Sequence, residues 1–294
     1  MQNIFENIIN GLTSGSLYAL IALGYTMVYG IAKMINFAHG DIIMVGAYTV
    51  FVCAELNDLP IWLTVILAIV VCAALGVFIE KVAYKPLRNA PTLAVLITAI
   101  GVSYFLQNLC QTIPTFGANP RTVSSLIPDG GIKIAGITIS YTTAITIILT
   151  IVIMIVLNLF IKKTRLGSAM RAVSEDKGAA TLMGINSNAI ISLTFAIGSA
   201  LAAVAGILYV CQYGTIQPTM GALPGIKAFV AAVIGGIGSV PGAMIGGIML
   251  GLLESMTKAY ISTTLLDAIV FGVLILVLLF MPTGILGSKK TEKV

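Results

Sequence analysis

Residues 235–242 read GGIGSVPG and separate two apolar runs, 222–235 and 240–257. A helix that crosses a hydrocarbon core about 30 Å thick needs about 20 apolar residues. The two runs are too short for two ordinary spans. Glycine and proline punctuate helices, so the stretch reads as a tight turn joining two short helices, one of which need not cross fully. The other reading is one interrupted span. The choice sets the side of the membrane on which every later residue lies, and so it decides the fold.

Working outward from this turn, composition leaves one class of protein. The chain has 294 residues, 58% of them hydrophobic and 9% charged, with a mean hydropathy of +1.05. A water-soluble chain of this size could not hide so much apolar surface. Apolar segments cover 7–31, 38–56, 61–80, 92–113, 138–161, 188–213, 222–235, 240–257 and 261–281. They predict an all-α polytopic membrane protein with eight to nine transmembrane segments, as one membrane domain over 1–294. A transmembrane β-barrel would show short alternating segments instead. The first run reads as a mature spanning helix, because it has no basic start, carries Glu6 near the front and is too long for a cleaved signal. The net charge of +5 is spread over loops. That fits a lipid environment and excludes a nucleic-acid patch.

Lysine and arginine mark the cytoplasmic loops of membrane proteins. Loop 162–187 carries Lys162, Lys163, Arg165, Arg171 and Lys177, which places it inside. Loop 81–91, with Lys81, Lys85 and Arg88, is then also inside. The turn 55–60, loop 114–137 and the N-terminus fall outside. The C-terminal Lys289, Lys290 and Lys293 come out inside only if 222–257 goes in and back. The basic tail therefore selects the paired-helix reading of GGIGSVPG.

Small residues recur at spacing four, as in Gly11, Gly15 and Ala19, in Gly198, Ala202 and Gly206, and in Gly247 and Gly251. This spacing lets helix backbones pack closely. Gly235, Gly236, Gly238, Gly242 and Gly246 exceed what one packed face needs, which marks a hinge or bend as well as packing. GLTSGSLYALIALG and ISLTFAIGSALAAVAG are loosely alike and run in opposite directions, the pattern of an inverted repeat. Cys53, Cys72, Cys110 and Cys211 lie singly in apolar runs and read as small buried hydrophobes. The chain has no phosphate-binding G-x-x-x-x-G-K-[ST] motif, no H-E-x-x-H, no G-x-S-x-G and a single histidine. Catalysis, a bound metal and a bound cofactor are not expected of it.

The polar stretch KKTRLGSAMRAVSEDKGAATLMGINSNA predicts a short exposed helix, with Ser174 as N-cap, Glu175 and Asp176 in its first turn and Gly184 as its stop. It would present Ala179, Ala180, Leu182 and Met183. So short a helix is marginal in water alone. It packs either on its own membrane helices or in a partner's groove.

Three separated segments carry a family resemblance: GYTMVYGIAKMINFAHGDIIMVGAY at 24–48, GSAMRAVSEDKGAATLMGIN at 167–186 and FVAAVIGGIGSVPGAMIGG at 229–247. The chain resembles the LivH-type permeases, membrane subunits of branched-chain amino-acid ABC importers. The resemblance implies a LivM-type second permease, two ATP-binding cassette subunits that use the ATP, and an extracytoplasmic solute-binding protein. It also implies a bacterial plasma (inner) membrane location. Leucine, isoleucine and valine are the implied solutes, although related permeases carry urea and short amides. Segment 167–186 matches the family's ATPase-contact loop, with Gly167, Arg171, Ala172, Glu175, Ala179, Ala180, Leu182, Met183 and Gly184 as the matching positions. The rival class, a stand-alone secondary transporter or channel, would need a coupling-ion site. Few ionisable residues lie deep in the apolar runs.

MINFAHGD, residues 34–41, is the most polar short cluster between apolar runs. The helix is expected to break after Ile31 and to restart near Gly40. Two readings stay open here. Asn36 and Asp41 cap the restarted helix, or the broken end, with Asn36, His39, Gly40 and Asp41, faces the translocation path as a gate. Lys227, Glu254, Lys258 and Asp267 fall toward the outer side. There they form either a charged vestibule or a mutually paired cluster.

Overall fold

The computed structural model describes residues 2–88, 90–128, 130–134 and 137–287. Its helices are α1 (Gln2–Ala32), α2 (His39–Val50), α3 (Ile61–Ile79), α4 (Thr92–Thr112), α5 (Tyr141–Lys163), α6 (Arg165–Glu175), α7 (Lys177–Leu182), α8 (Ser187–Tyr213), α9 (Ala222–Gly235), α10 (Val240–Tyr260) and α11 (Leu266–Phe280). Among the described residues, seven segments are long and apolar enough to cross a membrane, and Ala222–Gly235 and Leu266–Phe280 are shorter apolar helices. These match the nine apolar segments, and the protein is an all-α, multi-pass membrane protein.

Local chemistry sets the boundaries. Pro60 and Pro91, in extended conformation, start α3 and α4, because proline lacks the amide that a helix interior requires. Ser140, Thr164, Asn186 and Ser239 each accept an amide hydrogen bond at the start of α5, α6, α8 and α10. The last turns of α2 and α3 widen into π-helix over Phe51–Leu56 and Glu80–Tyr84.

Helix α1 is the centre of the bundle, packed on α10, α8, α9 and α5. Helices α3, α4 and α5 stand at the periphery. Their large apolar side chains, such as Val70, Phe78, Ile97, Ile148 and Val156, are exposed and suit contact with lipid. Helix α3 buries a seam of Thr64, Ala68, Cys72 and Gly76 at spacing four and packs on α8.

Loop 114–137 holds more order than its sequence suggested. Strand β1 (Arg121–Thr122) pairs antiparallel with β4 (Thr215–Ile216), and β2 (Gly131–Ile134) with β3 (Ile137–Ser140) in the register Gly131↔Ser140 to Ile134↔Ile137. Helix α5 therefore begins at Tyr141 rather than 138. The basic residues Lys289, Lys290 and Lys293 lie outside the described residues.

The stretch GGIGSVPG forms the tight turn of the paired-helix reading. Helix α9 ends at Gly235, Gly236 and Gly238 take positive φ angles of 104° and 98°, and Ser239 starts α10. The segment after α11 closes on this turn, with the amides of Ile285 and Leu286 donating to the carbonyls of Ile234 and Gly235 at 2.9 and 3.0 Å.

Candidate functional site

Helix α1 stops at Ala32. Lys33 has a left-handed φ of 58°, which turns the chain back before α2 starts at His39. Asn36, His39 and Asp41 are all buried. The capping expectation is corrected here. The N-cap position is Ala38, with no side-chain cap; Asp41 stands in the first turn of α2 as expected, but both polar side chains bond to groups on other segments. The Tyr84 hydroxyl donates to Asn36 Oδ1 at 2.8 Å. Gln107 Nε2 of α4 donates to Asp41 Oδ1 at 2.8 Å. Burial in an apolar bundle strongly favours such partners. The His39 ring packs against Tyr25, centroids 4.7 Å apart, and its Nε2 has no hydrogen-bond partner among the described residues.

A second interruption mirrors the first. After α8 the chain turns at Gly214, pairs through β4, and runs over 217–221 to the start of α9. The starts of α2 and α9 meet. A Cβ on Gly40 would lie 2.4 Å from the Gly221 carbonyl oxygen, and one on Gly221 would lie 1.9 Å from that of Gly40. Helices α1 and α8 cross at Gly24 and Gly198, where a Cβ on Gly24 would lie 3.1 Å from the Gly198 carbonyl oxygen. Helices α1 and α8 thus each lead into a break, and the helices that follow, α2 and α9, begin at one shared junction. Gly221 and Gly225 escaped the sequence reading, although GTIQPTMGALPG carries the glycine and proline density that signals such a break.

The polar segment between α5 and α8 folds as two helices rather than one. Asp176, not Ser174, is the cap: its Oδ1 accepts from Gly178 N and Ala179 N at 2.7 and 3.0 Å. Ser174 Oγ donates back to the Arg171 carbonyl. An extended Asp176 separates α6 from α7, so the carboxylate sits where two free amides need an acceptor. Gly184, at φ 83°, follows the end of α7 as expected.

The matching positions on this segment divide by direction. Leu182 and Met183 are 90% and 82% exposed, and Glu175, Ala179 and Gly184 are exposed as well. Ala180 is buried against its own chain, which corrects its expected presentation. Gly167 is also buried, close to the carbonyls of Phe160 and Ile161, and Ala172 is half-buried. Arg171 donates to the carbonyls of Ile161 and Lys162 at 3.0 and 3.1 Å. It thereby satisfies the free C-terminal end of α5.

The segment is tied to the break. Lys177 Nζ donates to the Ala32 carbonyl, the end of α1, at 3.3 Å. Desolvation, and then the nearby Arg88, lowers the pKa of Lys177. Arg88 pairs with the buried carboxylate of Glu80 and donates to Asn188 at the start of α8. Glu80 also accepts from Ser192 at 2.5 Å. Gly238 of the α9–α10 turn lies beside Gly30, where an added Cβ would stand 3.3 Å away. The break, the exposed helix α7 and the glycine turn therefore converge at one end of α1. Gly242 and Gly246 hold α10 against α9, each too close to a carbonyl, of Gly235 and of Ala231, to admit a Cβ. At the other end of the bundle Lys227, Glu254, Lys258 and Asp267 form one connected ion-pair cluster.

A family model described as the permease component of the branched-chain amino acid transport system matches residues 7–279. A Pseudomonas aeruginosa protein, the high-affinity branched-chain amino acid transport system permease protein BraD, is 48% identical over 100% of this chain and 99% of its own length. The corresponding Salmonella typhimurium permease LivH is 49% identical, covering 98% of this chain and 97% of that one. The Salmonella typhimurium permease LivM is 23% identical over 95% of this chain and 70% of its own length.

Proposed function

Because the chain belongs to the family of branched-chain amino acid transport permeases, we propose that it is a membrane subunit of an ATP-driven importer of leucine, isoleucine and valine. It forms half of the translocation path beside a LivM-type permease. Two ATP-binding cassette subunits bind the face that carries α7, and a solute-binding protein delivers solute to the opposite face. The chain lies in a bacterial inner membrane with its N-terminus outside. It binds no cofactor itself and uses ATP through its partners.

The observation that carries this reading is the pair Leu182 and Met183, almost fully exposed at the tip of α7. Two neighbouring large apolar side chains outside the membrane helices suit a partner's groove. The tether from Lys177 to Ala32 supports a route by which movement of that partner reaches the break at 33–38. The test is reconstitution of the complete complex in vesicles. Leucine uptake should require ATP on the α7 face and the binding protein on the other. Ala179→Glu, at an exposed position, should leave the permeases folded and cut uptake by weakening ATPase contact. ATP-independent uptake, or normal uptake by that variant, would refute the reading.

A further inference from the structure

We propose that the cleft between the N-terminal part of α1 and the C-terminal part of α10 is a contact site for the charged head of a zwitterionic α-amino acid. The proposal rests on the functional reading above for the identity of the solute. The cleft measures about 270 Å³ and is lined by Asn7, Asn10, Ser14, Glu254, Ser255, Lys258 and Ala259. At about 30 Å³ per water, that is room for roughly nine waters, the scale of a small amino acid. All of its lining residues but Ala259 carry a polar side chain, in a chain that is 58% hydrophobic.

Glu254 is the fixed element. It is 4% exposed; the Tyr18 hydroxyl donates to its Oε2 at 2.6 Å, and Lys227 reaches its Oε1 at 3.3 Å. Lys227 is anchored in turn by Asp267 at 2.8 Å. Lys258 is the movable element. It meets Glu254 Oε1 at 3.0 Å from the cleft side, and its side chain is 50% exposed. Buried ion pairs are poor stabilisers compared with apolar packing, and ionisable groups within membrane segments mark solute paths more often than scaffolding.

The charges select the ligand. Two lysines balance one glutamate and one aspartate, so a ligand with net charge would unbalance the cluster. A zwitterion keeps the balance by inserting into the Lys258–Glu254 pair. Its ammonium takes the place of Lys258 on Glu254 Oε1, and its carboxylate takes the released Lys258 ammonium, with the Asn7 and Asn10 amides beside it. One ion pair becomes two, and no charge is left alone.

The test is thiol protection in the complete complex carrying Ala259→Cys, at an exposed cleft position with no part in the exchange; Cys53, Cys72, Cys110 and Cys211 are buried. Leucine should slow modification, while isoamylamine and isocaproate, which carry one charge each, should not. Lys258→Met, at a half-exposed position, should weaken leucine protection roughly tenfold, the scale of one lost charge contact. Absence of leucine protection, equal protection by the singly charged analogues, or full protection in Lys258→Met would each overturn the proposal. Leucine uptake by the unsubstituted complex separates the two readings. Uptake without protection removes the site alone, and protection without uptake removes the transport reading alone.

Discussion

Most polar side chains buried in an apolar bundle find a partner, and MINFAHGD supplies one member of two such pairs, while His39 Nε2 stays without one among the described residues. Removing one member orphans the other at about 1–3 kcal/mol, whereas removing both is nearly neutral. Asn36→Ala and Tyr84→Phe should each lower the melting temperature in detergent, and the double variant should fall little below the worse single one. Strictly additive losses would show that the 2.8 Å contact is not a working bond. Asp41→Ala should cost less than Asn36→Ala, because Gln107 Nε2 keeps a second acceptor, Ser103 Oγ, at 3.2 Å. The polarity of this stretch was legible in the sequence, and its partners were not. Tyr84 and Gln107 lie 48 and 66 residues away from the groups they meet, one in the basic loop 81–91 and the other inside an apolar run, with no local pattern that marks either. Local rules pointed to capping; tertiary contacts claimed both side chains.

Among the elements, glycine content and glycine function separate cleanly. Gly40 and Gly101 both sit in helices, yet a Cβ on Gly40 would strike the backbone of Gly221 at 2.4 Å, while one on Gly101 would meet nothing within 4 Å. Gly40→Ala should therefore prevent normal assembly, because a backbone cannot step aside as a side chain can. Gly101→Ala should be tolerated or should stabilise α4 by up to about 1 kcal/mol through helix propensity. Thermal unfolding of both variants decides it; equal effects would mean that the α2–α9 junction tolerates a side chain. Neighbouring alanines on α7 divide in the same way. Ala179 is exposed and Ala180 buried, so Ala180→Glu should lower stability through an unpaired buried charge, while Ala179→Glu should spare it. Apolar run length located nearly every helix to within a few residues, since lipid thickness imposes it. The β2–β3 hairpin was missed, although GIKIAGITIS alternates isoleucine with other residues over 132–139, the period of a strand.

For the whole molecule, two lines of reasoning of different kind meet on topology. Loop charges assign inside and outside, and contacts assign faces without reference to charge. Lys177 at the end of α1, Arg88 at the start of α8 and the amides of Ile285 and Leu286 at the end of α9 put loops 85–88 and 164–186 and the segment after α11 on one face. The bond from Ser124 N to Glu55 and the β1–β4 pairing put the turn after α2, loop 114–128 and the turn after α8 on the other. The grouping agrees with the count of lysine and arginine, including the return required at GGIGSVPG. Cysteines placed at the exposed positions Ser125 and Lys85 should therefore react with an impermeant thiol reagent from opposite sides, Ser125→Cys from outside intact cells and Lys85→Cys only after the membrane is opened. The two possible failures have different meanings. Reaction of both from one side would contradict the helix order itself, because no inversion of the bundle brings these loops together. Opposite sides with the assignments exchanged would leave the fold intact and overturn the orientation alone, and with it the side on which ATPases could reach Leu182 and Met183.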